Sequence, residues 1–239
     1  LYGELGELEI ANDLYQETLV IAMEQQGTNS NIVLQILDQY GGFFAELGEY
    51  EMADVVYEKA YLVSTEALGA QDPRTTLRLQ TLANNDAELQ RYELAEQRLQ
   101  DAQATLVTAV GAEALPTINV LEDLAQLYQR QGKLRPALET LEQSYALRTK
   151  VQGPEETQTL ETKERLAELY RQLGRLDEAE PMFLEVIATA EQLLGIADPL
   201  VIDAKSHLAQ LYENTNNFVA SLRYYQEVYE IDQQILGDA

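Results

Sequence analysis

The chain has 239 residues, with forty-one Asp and Glu against sixteen Lys and Arg, one His and no Cys. A net charge of -25 excludes nucleic acid and anionic lipid as leading partners, because both need a surplus of Lys and Arg to displace counterions. The lack of Cys removes disulfides, thiolate metal sites and Cys nucleophiles together, and no apolar run reaches the ~18 residues of a membrane span.

Periodicity organises the rest. Gly27, Gly69, Gly111, Gly153, Gly195 and Gly237 are spaced forty-two residues apart throughout. Residues 1–27 form the back half of a partial repeat. Five full repeats follow, at 28–69, 70–111, 112–153, 154–195 and 196–237, so that 1–239 reads as one solenoid, with Asp238 and Ala239 opening a further repeat. Each repeat carries two helical stripes divided by a turn, as in Leu166, Ala167, Leu169, Tyr170, Leu173 and then Leu176, Ala179, Phe183, Val186, Ile187, Ala190. The turn is expected at Gly6, Gly48, Gln90, Gly132, Gly174 and Asn216 in chain order. Gln90 is the one residue there that is unsuited to a left-handed helix end, so a strained turn is expected at it. Pro73, Pro116, Pro154 and Pro199 follow the closing glycines, where a first helical turn tolerates a missing N–H.

A four-stranded propeller blade is excluded by the helical spacing. The small residues decide between the remaining helical arrays. Gly41, Ala83, Ala125, Ala167 and Ala209 share one site in the first helix, and Ala11, Ala53, Ala95, Ala137, Ala179 and Ser221 one site early in the second. Large residues pack around that close approach: Tyr2, Phe44, Tyr128, Tyr170 and Tyr212; Tyr15, Tyr57, Phe183 and Tyr225; and Leu8, Tyr50, Tyr92, Leu134, Leu176 and Phe218. The tyrosines at these sites are therefore read as core. Asn85 and Asp86 stand where Leu and Tyr belong, and predict either a loosely packed second repeat or a polar notch on a groove.

LAQLYQRQGKL (124–134), LAELYRQLGRLDEAEPMF (166–183) and LAQLYENTNNF (208–218) resemble tetratricopeptide (TPR) repeats of the forty-two-residue, kinesin-light-chain type, and the resemblance spans the chain. It implies an all-α fold, a right-handed superhelical solenoid of antiparallel helix pairs, whose first helices line a groove that binds a peptide or protein segment. It implies no enzyme activity and no cofactor. The groove positions are Gln80, Asn84 and Glu88; Glu122, Gln126 and Arg130; Glu164, Arg165, Glu168 and Arg171; and Asp203, Ser206, His207, Gln210 and Asn214, of which Gln80, Asn84, Glu122, Gln126, Arg130, Glu164, Arg165, Glu168, Arg171, Ser206, His207 and Gln210 form the candidate set. The light-chain family carries paired Asn before the LA, which grip an extended cargo peptide. Here the pairs are Asp38–Gln39, Gln80–Thr81, Glu122–Asp123, Glu164–Arg165 and Ser206–His207, so light-chain cargo specificity does not transfer. The Lys and Asn of a carboxylate clamp are also missing.

Charge is unevenly spread, at -6 for residues 1–27 and -6, -2, 0, -6 and -4 for the five repeats. The central groove around Arg130, Arg165 and Arg171 could therefore accept a mixed-charge or acidic segment, unless pairs such as Glu161–Arg165 and Glu168–Arg171 neutralise it within their own helices. His207 with Asp203 lacks the ligands for a metal site, and the many carboxylates form no acid/base constellation, so no metal is expected. The last helix leaves Phe218, Leu222, Tyr225, Val228, Tyr229 and Ile235 without a cap, which predicts an exposed apolar end suited to end-to-end self-packing. Without an initial Met the chain reads as a piece of a longer, cytoplasmic protein. An alternative role follows from that: the sensor arm of a multidomain signalling protein, an NTPase or a caspase-like protease.

Overall fold

A computed structural model describes residues 2–237, and the side chains of these except 2–9 and 236. The packing roles expected of Tyr2 and Leu8, and the start of a further repeat at Asp238 and Ala239, lie outside the described residues. Eleven helices follow one another among the described residues: α1 (Tyr2–Gln26), α2 (Asn31–Glu46), α3 (Tyr50–Leu68), α4 (Pro73–Glu88), α5 (Tyr92–Val110), α6 (Leu115–Arg130), α7 (Leu134–Gln152), α8 (Thr157–Gln172), α9 (Leu176–Leu193), α10 (Pro199–Asn214) and α11 (Phe218–Gly237). From α2 onward, sixteen-residue first helices alternate with longer second helices, the all-α pairing that the repeats predict.

The chain divides into two compact bodies, Leu1–Leu127 and Tyr128–Ala239. In the N-terminal body, Val33, Leu37, Phe44, Ala53, Val56 and Ala60 form a buried core with Leu19 of α1. Tyr15 stacks on Tyr40 there, with ring centroids 4.9 Å apart. In the C-terminal body the corresponding core is Ala167, Ala179, Phe183, Val186, Ala204, Leu208 and Leu211. The small residues are buried at both contact sites except Ala11, which is half-buried, and at Gly41 an added Cβ would overlap the Tyr57 ring.

The turns share one geometry. Gly48, Gly132 and Gly174 have positive φ, and in each case the following N–H bonds back into the helix, as Arg175 N does to Tyr170 O at 2.9 Å. Gln90 and Asn216 adopt φ 59° and close the same bond, from Arg91 N to Asp86 O at 2.8 Å and from Asn217 N to Tyr212 O at 2.8 Å. The strain foreseen at Gln90 is present, since an L-residue pays about 1 kcal/mol for that backbone. Two expected stops are absent. Helix α1 runs straight through Gly6, and α11 includes Gly237. Glycine inside a helix costs only about 1 kcal/mol, so a turn residue does not by itself end one. Pro73 and Pro199 open their helices behind the caps Asp72 and Asp198 and Pro116 lies in the first turn of α6, as expected, whereas Pro154 precedes α8 by three residues.

One buried layer changes chemistry along the chain. Leu37 and Leu121 are buried at a first-helix position that Lys163 and Lys205 take in the fourth and fifth repeats. Lys163 pairs with Glu185 of its own second helix. Lys205 is 6% exposed and joins Glu191 of α9 at 2.7 Å to Glu227 of α11 at 2.9 Å. Burial disfavours its charge, but the two carboxylates outweigh this and raise its pKa.

The Asn85–Asp86 departure produces neither a loose repeat nor a groove notch. Asp86 has no exposed side-chain surface, and Arg98 of α5 binds its Oδ2 at 2.5 Å. Arg91 approaches Oδ1 at 3.6 Å and also holds Asp54 at 2.7 Å. Asn85 Nδ2 donates to the Tyr50 carbonyl at 3.0 Å. The polar pair is thus an interior tie between helices.

The tyrosine sites also need correction. Tyr15, Tyr50, Tyr57, Tyr92, Tyr128, Tyr170 and Tyr212 are half-buried rather than core, and Tyr225 is 38% exposed. A phenol keeps its hydroxyl where an acceptor can reach it. Tyr170 donates to Glu142 at 2.6 Å, and Tyr212 to Glu180 at 2.7 Å. Burial and then the Glu142 bond push Tyr170 up to about 12. Tyr225 belongs to the outer stripe of α11, where Phe218, Leu222, Tyr229 and Ile235 are exposed as the sequence suggested.

Candidate functional site

The groove positions lie on α4 and α6 in the N-terminal body and on α8 and α10 in the C-terminal body, with Arg130 beyond the division. Their sixteen-residue helices are short, and each puts its Leu and Ala stripe inward and its polar residues on one face. Neighbouring first helices are then close enough for those polar residues to bond to one another.

They do so in a regular way. Asp38 of α2 takes a bidentate pair from Arg78 of α4, at 3.0 Å from Nε and 2.6 Å from a terminal nitrogen. Gln80 and Asn84 of α4 both donate to Asp123 Oδ2 of α6, at 2.7 and 2.8 Å. Glu164 of α8 meets His207 Nδ1 of α10 at 2.6 Å. Glu168 is engaged within its own helix by Arg171, at 2.6 and 2.7 Å, and by Gln172 at 2.8 Å. Burial alone would raise the Glu168 pKa, but the Arg171 and Gln172 bonds hold it below the usual carboxylate range.

Half of the sequence-derived set is therefore internal bracing. Gln80, Asn84, Glu164, His207, Glu168 and Arg171 satisfy one another or close neighbours, and Glu164 is only 7% exposed. Glu122 is half-buried and Arg130 exposed, and both carry polar contacts. Ser206 donates to the Ile202 carbonyl at 2.8 Å. Gln126 is exposed, while Arg165 and Gln210 are half-buried. The expected Glu161–Arg165 pair is not formed among the described residues, whereas Glu168–Arg171 is.

Arg165 instead lines an open cleft between α8 and α10 with Glu161, Asp203, Pro199 and Leu200. A second cleft, between α2 and α4, is lined by Asp38, Tyr57, Arg74, Leu77, Arg78 and Thr81. Asp123, Arg78 and Glu161 were missing from the sequence-derived set, whereas Asp203 was among the groove positions read from the sequence. A signal for Asp123 was available: Gln80 to Asp123 and Glu164 to His207 are both forty-three residues apart, one more than the period.

The hydrogen bond and charge of Glu164 raise the His207 pKa above the ordinary imidazole value, against burial. A raised folded-state value stabilises the fold fully below the unfolded pKa, and that stability is lost as pH rises through the folded pKa. Thermal melts are expected to fall by about 2 °C between about pH 6 and pH 9. The drop should vanish in His207→Gln. An unchanged drop in that variant would assign the titration elsewhere.

Paired helices stacked so that polar first-helix residues brace one another define a helical-repeat interaction module, and a TPR fold is a general protein–protein interaction scaffold. The tetratricopeptide-repeat family model matches residues 75–150 and 158–234, and the chain belongs to that family, with repeats of the forty-two-residue kinesin-light-chain-like type. Among solved structures it is similar to the nearly identical TPR-like repeats of a kinesin light chain from Podosopora anserina, at 20% identity and a TM-score of 0.73, over 84% of this chain and 96% of that one. BtubC (BKLC) from P. vanneervenii matches at 17% identity and TM-score 0.80, over 96% and 91%. YrrB, a TPR protein with an unusual peptide-binding site, matches at 17% and TM-score 0.52, over 89% and 91%. No curated protein matches the chain significantly. Among the described residues no helix is long and apolar enough to cross a membrane.

Proposed function

We propose that the chain is a protein-binding scaffold whose first-helix face takes an extended segment of a partner protein. The observation that carries this is the cleft between α8 and α10. There Arg165, Glu161 and Asp203 have no ion-pair partner among the described residues, while the residues beneath them are bonded to one another. A braced floor with open charges above it is pre-organised to pair with the backbone and side chains of an incoming strand. Leu200 and Pro199 add an apolar anchor point. With one basic and two acidic groups open, the segment it fits is of mixed charge.

Peptide arrays of mixed-charge sequences, followed by fluorescence anisotropy on the best binder, test this. Arg165→Ala with Asp203→Ala is expected to weaken binding about tenfold or more. Unchanged affinity in that variant would remove the α8/α10 cleft from the binding face.

A further inference from the structure

The opposite face, built by the second helices, is closed by polar bonds in three places within the two bodies. Between α3 and α5 the gap holds Asp54–Arg91 and Asp86–Arg98. Between α7 and α9 it holds Tyr170–Glu142 and Lys163–Glu185. Between α9 and α11 it holds Tyr212–Glu180 and Lys205–Glu227.

The gap between α1 and α3 holds no ion pair among the described residues; its polar tie lies at one end, where Tyr40 donates to Asn12 at 2.5 Å and Gln16 donates to Tyr40 at 3.4 Å. Its walls are Leu19 and Val20 of α1 and Met52, Val55 and Val56 of α3, over a floor that includes Phe44 of α2, with a volume of about 390 Å³. Val20, Met52 and Val55 are 53%, 47% and 68% exposed. Lys59 is the one charged group in its lining. Apolar surface so exposed, where neighbouring gaps of the same register carry ion pairs, marks a contact surface rather than ordinary packing.

The lips of the groove name the partner. Asp13, Glu17 and Glu24 share the helical stripe of Val20 on α1, and Glu51 and Glu58 that of Val55 on α3. All five are exposed, and none has an ion-pair partner among the described residues. We propose that this groove docks an amphipathic helix of a partner protein, its apolar stripe in the groove and Lys or Arg on both flanks. Two parallel helical walls present a trough into which a third helix can lay anchors at i, i+4 and i+7. The space accepts a few side chains and not a whole helix, so the occupant lies along the surface. A second copy of this chain is disfavoured, because a partner of charge -25 would meet acidic lips.

The probe is a helical peptide of about eighteen residues with Leu at i, i+3, i+4, i+7 spacing and Lys elsewhere, read by fluorescence anisotropy beside its Glu-for-Lys counterpart. The Lys peptide is expected to bind and the Glu peptide not. Val55→Asp makes the protein more negative, so attraction to net charge alone would strengthen binding, whereas groove docking predicts about a tenfold loss or more. Glu17→Lys with Glu58→Lys is expected to weaken the Lys peptide similarly. Both variants change exposed positions, and unchanged circular-dichroism melts confirm folding. Unchanged or tighter binding to Val55→Asp, or equal binding of the Glu peptide, overturns the proposal. So does sedimentation showing a wild-type dimer that Val55→Asp dissolves, since the occupant is then a second copy. Arg165→Ala with Asp203→Ala should leave the Lys-peptide affinity unchanged, which keeps this result separate from binding at the first-helix face.

Discussion

Asp86→Ala is expected to lower the stability of the chain by about 3 kcal/mol, measured by urea or thermal unfolding. The side chain is fully buried, and Arg98 holds it at 2.5 Å from a position only 20% exposed. Removing the carboxylate leaves that guanidinium largely desolvated, with its main partner gone. Burial raises the Asp86 pKa, with Arg98 opposing, so ionised Asp86 is tolerated in the fold only because the arginines face it. Linkage gives the sign: the contribution is greatest below the unfolded pKa and declines as pH rises through the higher folded value, the reverse of an ordinary paired carboxylate. Asp86→Tyr with Arg98→Met installs the pair found as Tyr170 and Met182 in the fourth repeat, both packed on its core. That double variant should recover most of the loss, because well-packed apolar groups replace a buried ion pair without penalty. A cost below about 0.5 kcal/mol for Asp86→Ala would mean that the tie carries no stability.

Gly41→Ala is expected to cost about 2 kcal/mol, although alanine occupies the same site in the four later repeats. At the register of Tyr57 the next three repeats carry Leu99, Leu141 and Phe183, all buried, while Tyr225 of the last repeat lies on the exposed stripe of α11. In the first repeat the ring of Tyr57 fills the space a Cβ would need. Moving an aromatic ring in a packed contact forces its rotamer or the helix spacing to give. Tyr57→Leu in the same chain should remove most of the penalty, because Leu with Ala is the combination that the second and third repeats carry at these two positions. Additive single effects in this double-mutant cycle would show that the two residues do not share the contact.

The helices, their pairing and the turn sites were legible because one pattern is written five times, and a stripe read weakly once is strong when repeated. The small contact sites were equally plain, since two helices approach closely only over Gly, Ala or Ser. Three features escaped that reading for physical reasons. Gly6 is a turn residue in sequence, but glycine inside a helix costs only about 1 kcal/mol and does not by itself end one. Asp86 looked like a defect until Arg98, twelve residues on, proved to lie beside it. The first-helix polar residues looked available because a helix wheel shows which face a residue occupies and not whether the next helix already holds it. The bonds between first helices span 39, 40 and 43 residues rather than forty-two, so comparing residues at exactly the period does not reveal which of them pair. Arg165 kept its place in the candidate site because its expected helix partner Glu161 does not pair with it.

The replacement of Leu121 by Lys163 and Lys205 in the later repeats has a consequence for how the end of the chain comes apart. A leucine layer loses its driving force as soon as one wall leaves, because water then reaches the apolar surface it had covered. Lys205 is held from both sides, by Glu191 and by Glu227. When α11 swings away, the ammonium keeps Glu191 and gains water in place of Glu227, so no charge is stranded and α10 remains seated on α9. Opening of α11 is therefore expected to leave α10 protected in native-state hydrogen exchange, where an all-leucine seam would pass the opening from helix to helix.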